Sequence, residues 1–271
     1  MPEVLNDGVK ISYDCFGVRE SNKTILFLSG AGNDGSVWHN QVSFFKERYF
    51  VITIDNRGSG KSDCPDYKYS AHMLAKDVKA VLQKENIEKV FLAGFSMGGL
   101  VAQKFTDDNK EMVERLVLMN CSLGAGNKYT VLPKQEVVNM FLFAAALSDE
   151  DACKNAMDYN FGPEFKTCSP VLYERYYNET MANRKGLHSQ IAIMVSTAPL
   201  IKDYAEFDVP VLYILSTDDP VTPKENGEKI KNVLPAAQVE YVDGFHASML
   251  NHPDTVNRLI DDFLDKSKRA V

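Results

Sequence analysis

Short apolar runs, separated by stretches with helical spacing, set the organisation of this chain. Thr24-Ile25-Leu26-Phe27-Leu28, Tyr49 through Ile54, Val90-Phe91-Leu92-Ala93, Leu116-Val117-Leu118-Met119 and Val211-Leu212-Tyr213-Ile214-Leu215 are almost uninterrupted apolar segments. Runs this short and continuous predict strands covered on both faces, as in a parallel sheet flanked by helices. Between them the period changes. Leu74, Val78, Val81 and Leu82 recur on one helix face, with Ser70 placed to cap that helix. Leu100, Val101 and Phe105 share a face after residue 96, and a further helix is expected through Trp38 to Phe45. Pro223 suits the first turn of a helix running to about Leu234. Val239 to Val242 reads as the last strand, and Val256, Leu259, Ile260, Phe263 and Leu264 mark a final amphipathic helix. At the start, Asn6-Asp7-Gly8 separates Glu3-Val4-Leu5 from Val9 to Tyr13, which predicts a β-hairpin. Strand and helix alternate from about residue 24 to 122 and again from 210, so the fold class is α/β with helices on both faces of the sheet.

One segment breaks the alternation. Residues 124–205 have helical spacing and no clear buried strand, and are rich in Met, Tyr and Phe: Met140, Phe141, Phe143, Tyr159, Tyr173, Tyr176, Tyr177, Met181 and Met194. The segment starts just after one strand and ends just before the strand at 210–215. A helical insertion there would lie over the carboxyl edge of the sheet as a lid; the alternative is an independent helical domain. The expected division is therefore a core of 1–123 and 206–271, with 124–205 inserted as a helical cap.

Composition narrows the function classes. The 271 residues carry a net charge of −7 and show no basic patch, which argues against nucleic acid as a partner. The five cysteines, Cys15, Cys64, Cys121, Cys153 and Cys168, include no C-x-x-C pair. Neither a disulfide framework nor a zinc site is suggested, and reduced thiols in a reducing compartment are the simplest reading. Met1-Pro2-Glu3-Val4 is not a basic segment leading into an apolar core, so no signal peptide is expected. The longest apolar run, Met140 to Leu147, is too short for a membrane span. These observations predict a cytoplasmic protein.

The candidate chemistry centres on Gly94-Phe95-Ser96-Met97-Gly98, a G-x-S-x-G between a strand and a helix. In that context the turn is so tight that a side chain two residues before or after the serine would strike neighbouring backbone. The serine hydroxyl is then exposed above the sheet, and the N–H of Met97 lies at a helix N-terminus, where a developing negative charge is favoured. The motif alone also arises by chance in glycine-rich turns, so a base and an acid are needed. His188 lies in the helical insertion, and His252 precedes Pro253 at the start of the last helix. His246 follows the last strand and therefore stands at the carboxyl edge with Ser96, where sites in such sheets form. The loop after Leu215 supplies two acids, Asp218 and Asp219. The resulting chain order is Ser, Asp, His.

On these residues the chain resembles the α/β-hydrolase superfamily, in its branch of small enzymes with a helical cap. The resemblance covers about residues 4–123 and 207–267. It implies a mostly parallel eight-stranded sheet, Ser96 as nucleophile, Asp219 before Pro220 as the acid and His246 as the base. It also implies an oxyanion hole made by the backbone N–H groups of Ala31 and Met97. Asp55-x-Arg57-Gly58-x-Gly60-x-Ser62 is a recurrent family segment, expected to be structural. The chain departs from the family at Ser29-Gly30, where His-Gly is common; Ser29 can still hydrogen-bond and hold the loop in a different geometry. The implied activity is hydrolysis of a small ester or lactone through an acyl-enzyme, with no metal or organic cofactor. Enol-lactonases are the closest comparison by layout. Thioesterase, carbon–carbon hydrolase and perhydrolase chemistry stay open, as does a receptor of hydrolase fold with slow turnover. Substrate identity and oligomeric state are not legible.

Overall fold

Every residue of the five continuous apolar runs is buried, and the helices on either side explain why. The structure, a computed structural model, describes residues 1–19, 23–142 and 148–265. The chain enters with the antiparallel hairpin β1 (Glu3–Asn6) and β2 (Val9–Gly17), turning at Asp7-Gly8. It continues through β3 (Thr24–Leu28), α1 (His39–Phe45), β4 (Phe50–Ile54), α2 (Ala71–Lys84), β5 (Val90–Phe95), α3 (Met97–Asp108) and β6 (Val113–Met119). Among the described residues, five helices follow: α4 (Gln135–Leu142), α5 (Asp149–Phe161), α6 (Phe165–Cys168), α7 (Pro170–Ala182) and α8 (Arg184–Met194). The chain then returns to the sheet with β7 (Val211–Ser216), α9 (Asn226–Val233), β8 (Gln238–Val242), α10 (Ser248–Asn251) and α11 (Pro253–Leu264). The strand order is β1-β2-β4-β3-β5-β6-β7-β8; β2 runs antiparallel to β1 and β4, and every other pairing is parallel. The protein thus has an eight-stranded, mostly parallel sheet.

Side-chain alternation divides each strand between two cores. On β3, Leu26 and Leu28 join Leu74, Val78, Leu100 and Phe105 under α2 and α3, while Ile25 and Phe27 join Trp38, Phe45, Ile260 and Phe263 under α1 and α11. Burying such a side chain contributes about 1.5–3 kcal/mol, so a strand apolar on both faces is stable only between two helical layers. Ser70 caps α2 by accepting from the N–H of Met73.

One boundary differs from expectation. Pro223 opens a turn rather than the first helical turn: the N–H of Asn226 donates to the Pro223 carbonyl, and α9 begins at Asn226. The reason is tertiary. The Asn226 side chain accepts from the N–H of Val131 and donates to its carbonyl, tying this turn to the segment after β6.

The loop from Asp55 to Ser62 is structural, as its buried contacts make plain. Asp55 accepts from the N–H groups of Gly35 and Lys61, and Arg57 grips Asp77 through two hydrogen bonds of 2.7 and 2.6 Å. Both members of that pair are buried.

Helices α5 and α7 pack through a stack of aromatic rings. Phe161 lies 4.3 Å from Phe165 and 5.0 Å from Tyr176, centroid to centroid. Tyr173 and Tyr177 stack beside them. These rings are continuous with the core under α1 and α11. Phe143 lies outside the described residues.

Candidate active site

Strand β5 ends in a sharp turn into α3. Ser96 has φ 52° and ψ −121°, a strained backbone for a residue with a side chain, and α3 starts at the next residue. The glycines around it are required sterically. A Cβ on Gly94 would lie 2.4 Å from the Gly98 carbonyl oxygen, and one on Gly98 would lie 2.2 Å from that of Leu28. Any side chain at either position would force β3, β5 and α3 apart.

The turn aims the Ser96 hydroxyl at His246. Nε2 of His246 is 2.9 Å from Ser96 Oγ, and its Nδ1 is 2.7 Å from Asp219 Oδ2. All three residues are buried. The other Asp219 oxygen accepts from the N–H groups of Val221 and Thr222, at 2.8 and 2.9 Å, which orients the carboxylate. Phe95 packs on the imidazole, ring centroids 4.9 Å apart. Asp218 is exposed and accepts from the Thr217 hydroxyl instead. His188 is exposed on α8, and neither it nor His252 lines the cavities at Ser96. The three loops thus bring together Ser96, Asp219 and His246. In this line a proton can pass from hydroxyl to imidazole while the carboxylate stabilises the charge left on the ring.

Ala31 and Met97 line cavities that meet at Ser96. Among the described residues neither backbone N–H has a protein acceptor. Ser29, where the family commonly has histidine, is fully buried. Its hydroxyl donates to the Asp34 carbonyl and accepts from the Trp38 indole, and its carbonyl accepts from Asn56. The serine therefore anchors the start of the Gly30–Gly35 loop through short local bonds.

Two cavities flank Ser96. The larger, about 340 Å³, is lined by Met97, Leu100, Val131, Val138 and Val195 among others. The smaller, about 90 Å³, runs past Gly30, Ala31, His246 and Arg184. Phe141, Met194 and Val221 border both. Of the insertion's two arginines, Arg175 pairs with Glu179 away from the site, whereas Arg184 lines the smaller cavity. Cys121 also borders the larger cavity; burial pushes its thiol up to about 12, so it stays uncharged and unreactive there.

Sequence reasoning missed the residues that hold the loops in place. Asn120, in the left-handed region at φ 45°, ends β6 and joins the acid and histidine loops. Its amide donates to the His246 carbonyl and the hydroxyls of Ser216 and Ser248, and its side-chain oxygen accepts from the Ser216 N–H. The helical segment contributes as well: the carbonyls of Tyr159 and Asn160 at the end of α5 accept from the N–H groups of His246 and Ala247. An asparagine directly after an apolar strand, at the carboxyl edge of the sheet, was the available signal for Asn120.

A doubly covered parallel sheet with a serine on a strained strand-to-helix turn defines the α/β-hydrolase class of enzymes. Comparison with known proteins agrees: the chain belongs to the alpha/beta hydrolase fold family, whose model matches residues 23–253. It is 30% identical over 253 residues to an AB hydrolase superfamily protein of Bacillus subtilis, covering 89% of this chain and 91% of that one. It is 24% identical over 253 residues to 3-oxoadipate enol-lactonase 2 of Acinetobacter baylyi, covering 93% and 92% of the two chains. The enol-lactonase structure from Burkholderia xenovorans superimposes with a TM-score of 0.87 at 22% identity, over 97% of this chain and 99% of that one. No helix among the described residues is long and apolar enough to cross a membrane.

Proposed function

We propose that this enzyme is a serine hydrolase that cleaves a small carboxylic ester or lactone through an acyl-enzyme. The observation that carries the reading is the continuous hydrogen-bonded line from Ser96 Oγ through His246 to Asp219, 2.9 and 2.7 Å long. Ser96 Oγ attacks the carbonyl carbon while His246 Nε2 takes its proton. Asp219 holds the imidazole in the tautomer that can accept there and stabilises the imidazolium. The N–H groups of Ala31 and Met97 take the negative charge of the tetrahedral oxygen. The intermediate collapses, His246 returns the proton to the leaving oxygen, and the acyl group stays on Ser96. Water, deprotonated by His246, then releases the acid.

The cavities support an orientation for the substrate. The leaving oxygen must meet His246, which lines the smaller cavity, so the alcohol portion lies there and the acyl portion takes the larger apolar one. Residues 124–205 act in this reading as a cap that closes both cavities. Arg184 favours substrates with a carboxylate on the alcohol side, which fits the enol-lactonases among the similar proteins. A cytoplasmic location belongs to the same proposal and is in keeping with five cysteines that form no disulfide among the described residues.

Ser96→Ala tests the reading. The expected result is a folded protein that no longer reacts with a fluorophosphonate probe, with turnover of aryl esters reduced on the order of a millionfold. Substantial hydrolysis by folded Ser96→Ala protein would overturn it. Wild-type turnover too slow to detect on any ester or lactone, together with a ligand-dependent change in binding to another protein, would favour the receptor alternative.

A further inference from the structure

Helix α8 reaches out of the capping segment into the loop that carries Ala31. Gln190 is completely buried, yet it lies on the same helical face as Leu187, Ile191 and Met194, three residues that line the smaller cavity. A polar side chain in an apolar stripe needs hydrogen-bond partners to offset its burial. Gln190 finds them on two different core loops. Its Oε1 accepts from the N–H of Gly32 at 2.9 Å, and its Nε2 donates to the Arg57 carbonyl at 3.0 Å and to Ser59 Oγ at 2.9 Å. The amide orientation is unambiguous, because the Gly32 N–H requires an acceptor and the Arg57 carbonyl a donor.

Gly32 is the sensitive point of its loop. The N–H of Asn33 donates to the Gly30 carbonyl, closing a four-residue turn with Ala31 and Gly32 at its centre. Gly32 has φ +71°, the conformation that a type II turn requires at its third residue. The Ala31 N–H belongs to the Gly30–Ala31 peptide at the entry to this turn, and glycines on both sides of Ala31 leave the turn little steric restraint of its own. The Ala31–Gly32 peptide is held at both ends: Asn33 Nδ2 donates to the Ala31 carbonyl, and Gln190 takes the Gly32 N–H. Ser29 anchors only the entrance to the loop.

We propose that Gln190 is a positioning residue: from the cap it pins the Gly30–Asn33 turn at Gly32 and so holds the Ala31 N–H, on the peptide at the entry to that turn, in place for the oxyanion. The inference rests on the serine-hydrolase reading above. The rest of α8 gives Gln190 a rigid base. Asn183, just before the helix, accepts from the Gly60 N–H and donates to Asp34, the Ser189 carbonyl accepts from the Tyr69 N–H, and Gly186 lies directly against the Gly58 backbone. The cap thereby completes the transition-state site as well as covering it.

The test compares two affinities in the whole protein. A trifluoromethyl ketone adds to Ser96 and forms an oxyanion, whereas a carboxylate product analogue binds without one. Gln190→Met keeps the length of the side chain and removes its polar atoms. The expected result is a fall in kcat and in ketone affinity of roughly ten- to a hundredfold, below the loss for deleting an oxyanion donor outright. KM and product-analogue affinity should change little. Asn183→Ala, which removes the bonds to Gly60 and Asp34, should lower the melting temperature and change the ratio less than Gln190→Met does. Ser59→Ala removes one of the bonds that steady the Gln190 amide and should lower the ratio to a lesser degree. An unchanged ratio in folded Gln190→Met protein overturns the inference. Should Gln190→Met not fold, an unchanged ratio in Ser59→Ala overturns it instead. A wild-type protein that hydrolyses nothing and binds no ketone overturns the serine-hydrolase reading itself, a result distinct from either.

Discussion

Asp219→Asn is the substitution whose effect follows most directly from the geometry. The change is isosteric, but the replacement amide can sit in only two ways. Oδ1 of Asp219 accepts from two backbone N–H groups, those of Val221 and Thr222, and Oδ2 faces His246 Nδ1. Turning the amide NH2 toward the two N–H donors would leave them without acceptors, at about 1–3 kcal/mol for each buried group. The amide oxygen therefore stays with the backbone, and the NH2 faces His246 Nδ1. Nδ1 must then accept, so the ring proton moves to Nε2 and points at Ser96 Oγ. In that tautomer the imidazole cannot take the serine proton. The expected loss in kcat is on the order of 10⁴-fold, as for the equivalent change in other Ser-His-Asp triads, or about 5 kcal/mol of activation free energy. Asp218→Asn is the matched control. Asp218 is exposed and its side chain bonds only to Thr217 among the contacts described, so its change should stay within about 0.5 kcal/mol, roughly twofold. Steady-state hydrolysis of a p-nitrophenyl ester by each variant, with a thermal melt to confirm folding, gives the comparison. A folded Asp219→Asn protein within tenfold of wild type, or a larger loss in Asp218→Asn, would refute the reasoning.

Three further outcomes are expected. Lengthening the acyl chain from acetyl to butyryl or hexanoyl should raise kcat/KM by about fourfold per methylene until the larger cavity is full, from about 0.8 kcal/mol per buried CH₂; lengthening the alcohol should raise it much less, and a flat acyl profile rejects the apolar acyl cavity. A preference for carboxylate-bearing lactones should disappear in Arg184→Ala and persist in Arg175→Ala; persistence in both variants rejects Arg184 as the anion contact. Burial, and after it the charge of Arg175, hold the His39 imidazole below its ordinary value. The unfolded chain then takes up the His39 proton more readily than the folded one, so this residue's share of stability is present above about pH 6.5 and is lost as pH falls below it. His39→Gln should flatten the melting-temperature profile between about pH 7 and 5, and superimposable profiles would refute the assignment.

Much of the chain is readable without its structure because local chemistry decides it. The buried strands are continuous apolar runs with no polar face, and such runs have no stable place except between two helical layers. The turn at Ser96 is legible from its glycines two residues away on both sides, although the backbone that Gly98 must clear is that of Leu28 on another strand. The histidine could be narrowed to the one that follows a strand, because the carboxyl ends of parallel strands share an edge. Tertiary structure decided everything that depends on direction or on contacts across long sequence separations. Asp218 and Asp219 are adjacent and chemically alike; only the path of the loop turns one to His246 and the other to solvent. Arg175 and Arg184 look equivalent in the sequence, yet one lies against Glu179 on its own helix and the other lines the smaller cavity. Asn120 lies 126 residues from His246, and Gln190 lies 158 from Gly32. The periodicity of a strand or helix says which face is buried. It does not say which backbone group, brought there by another part of the chain, a buried amide will meet.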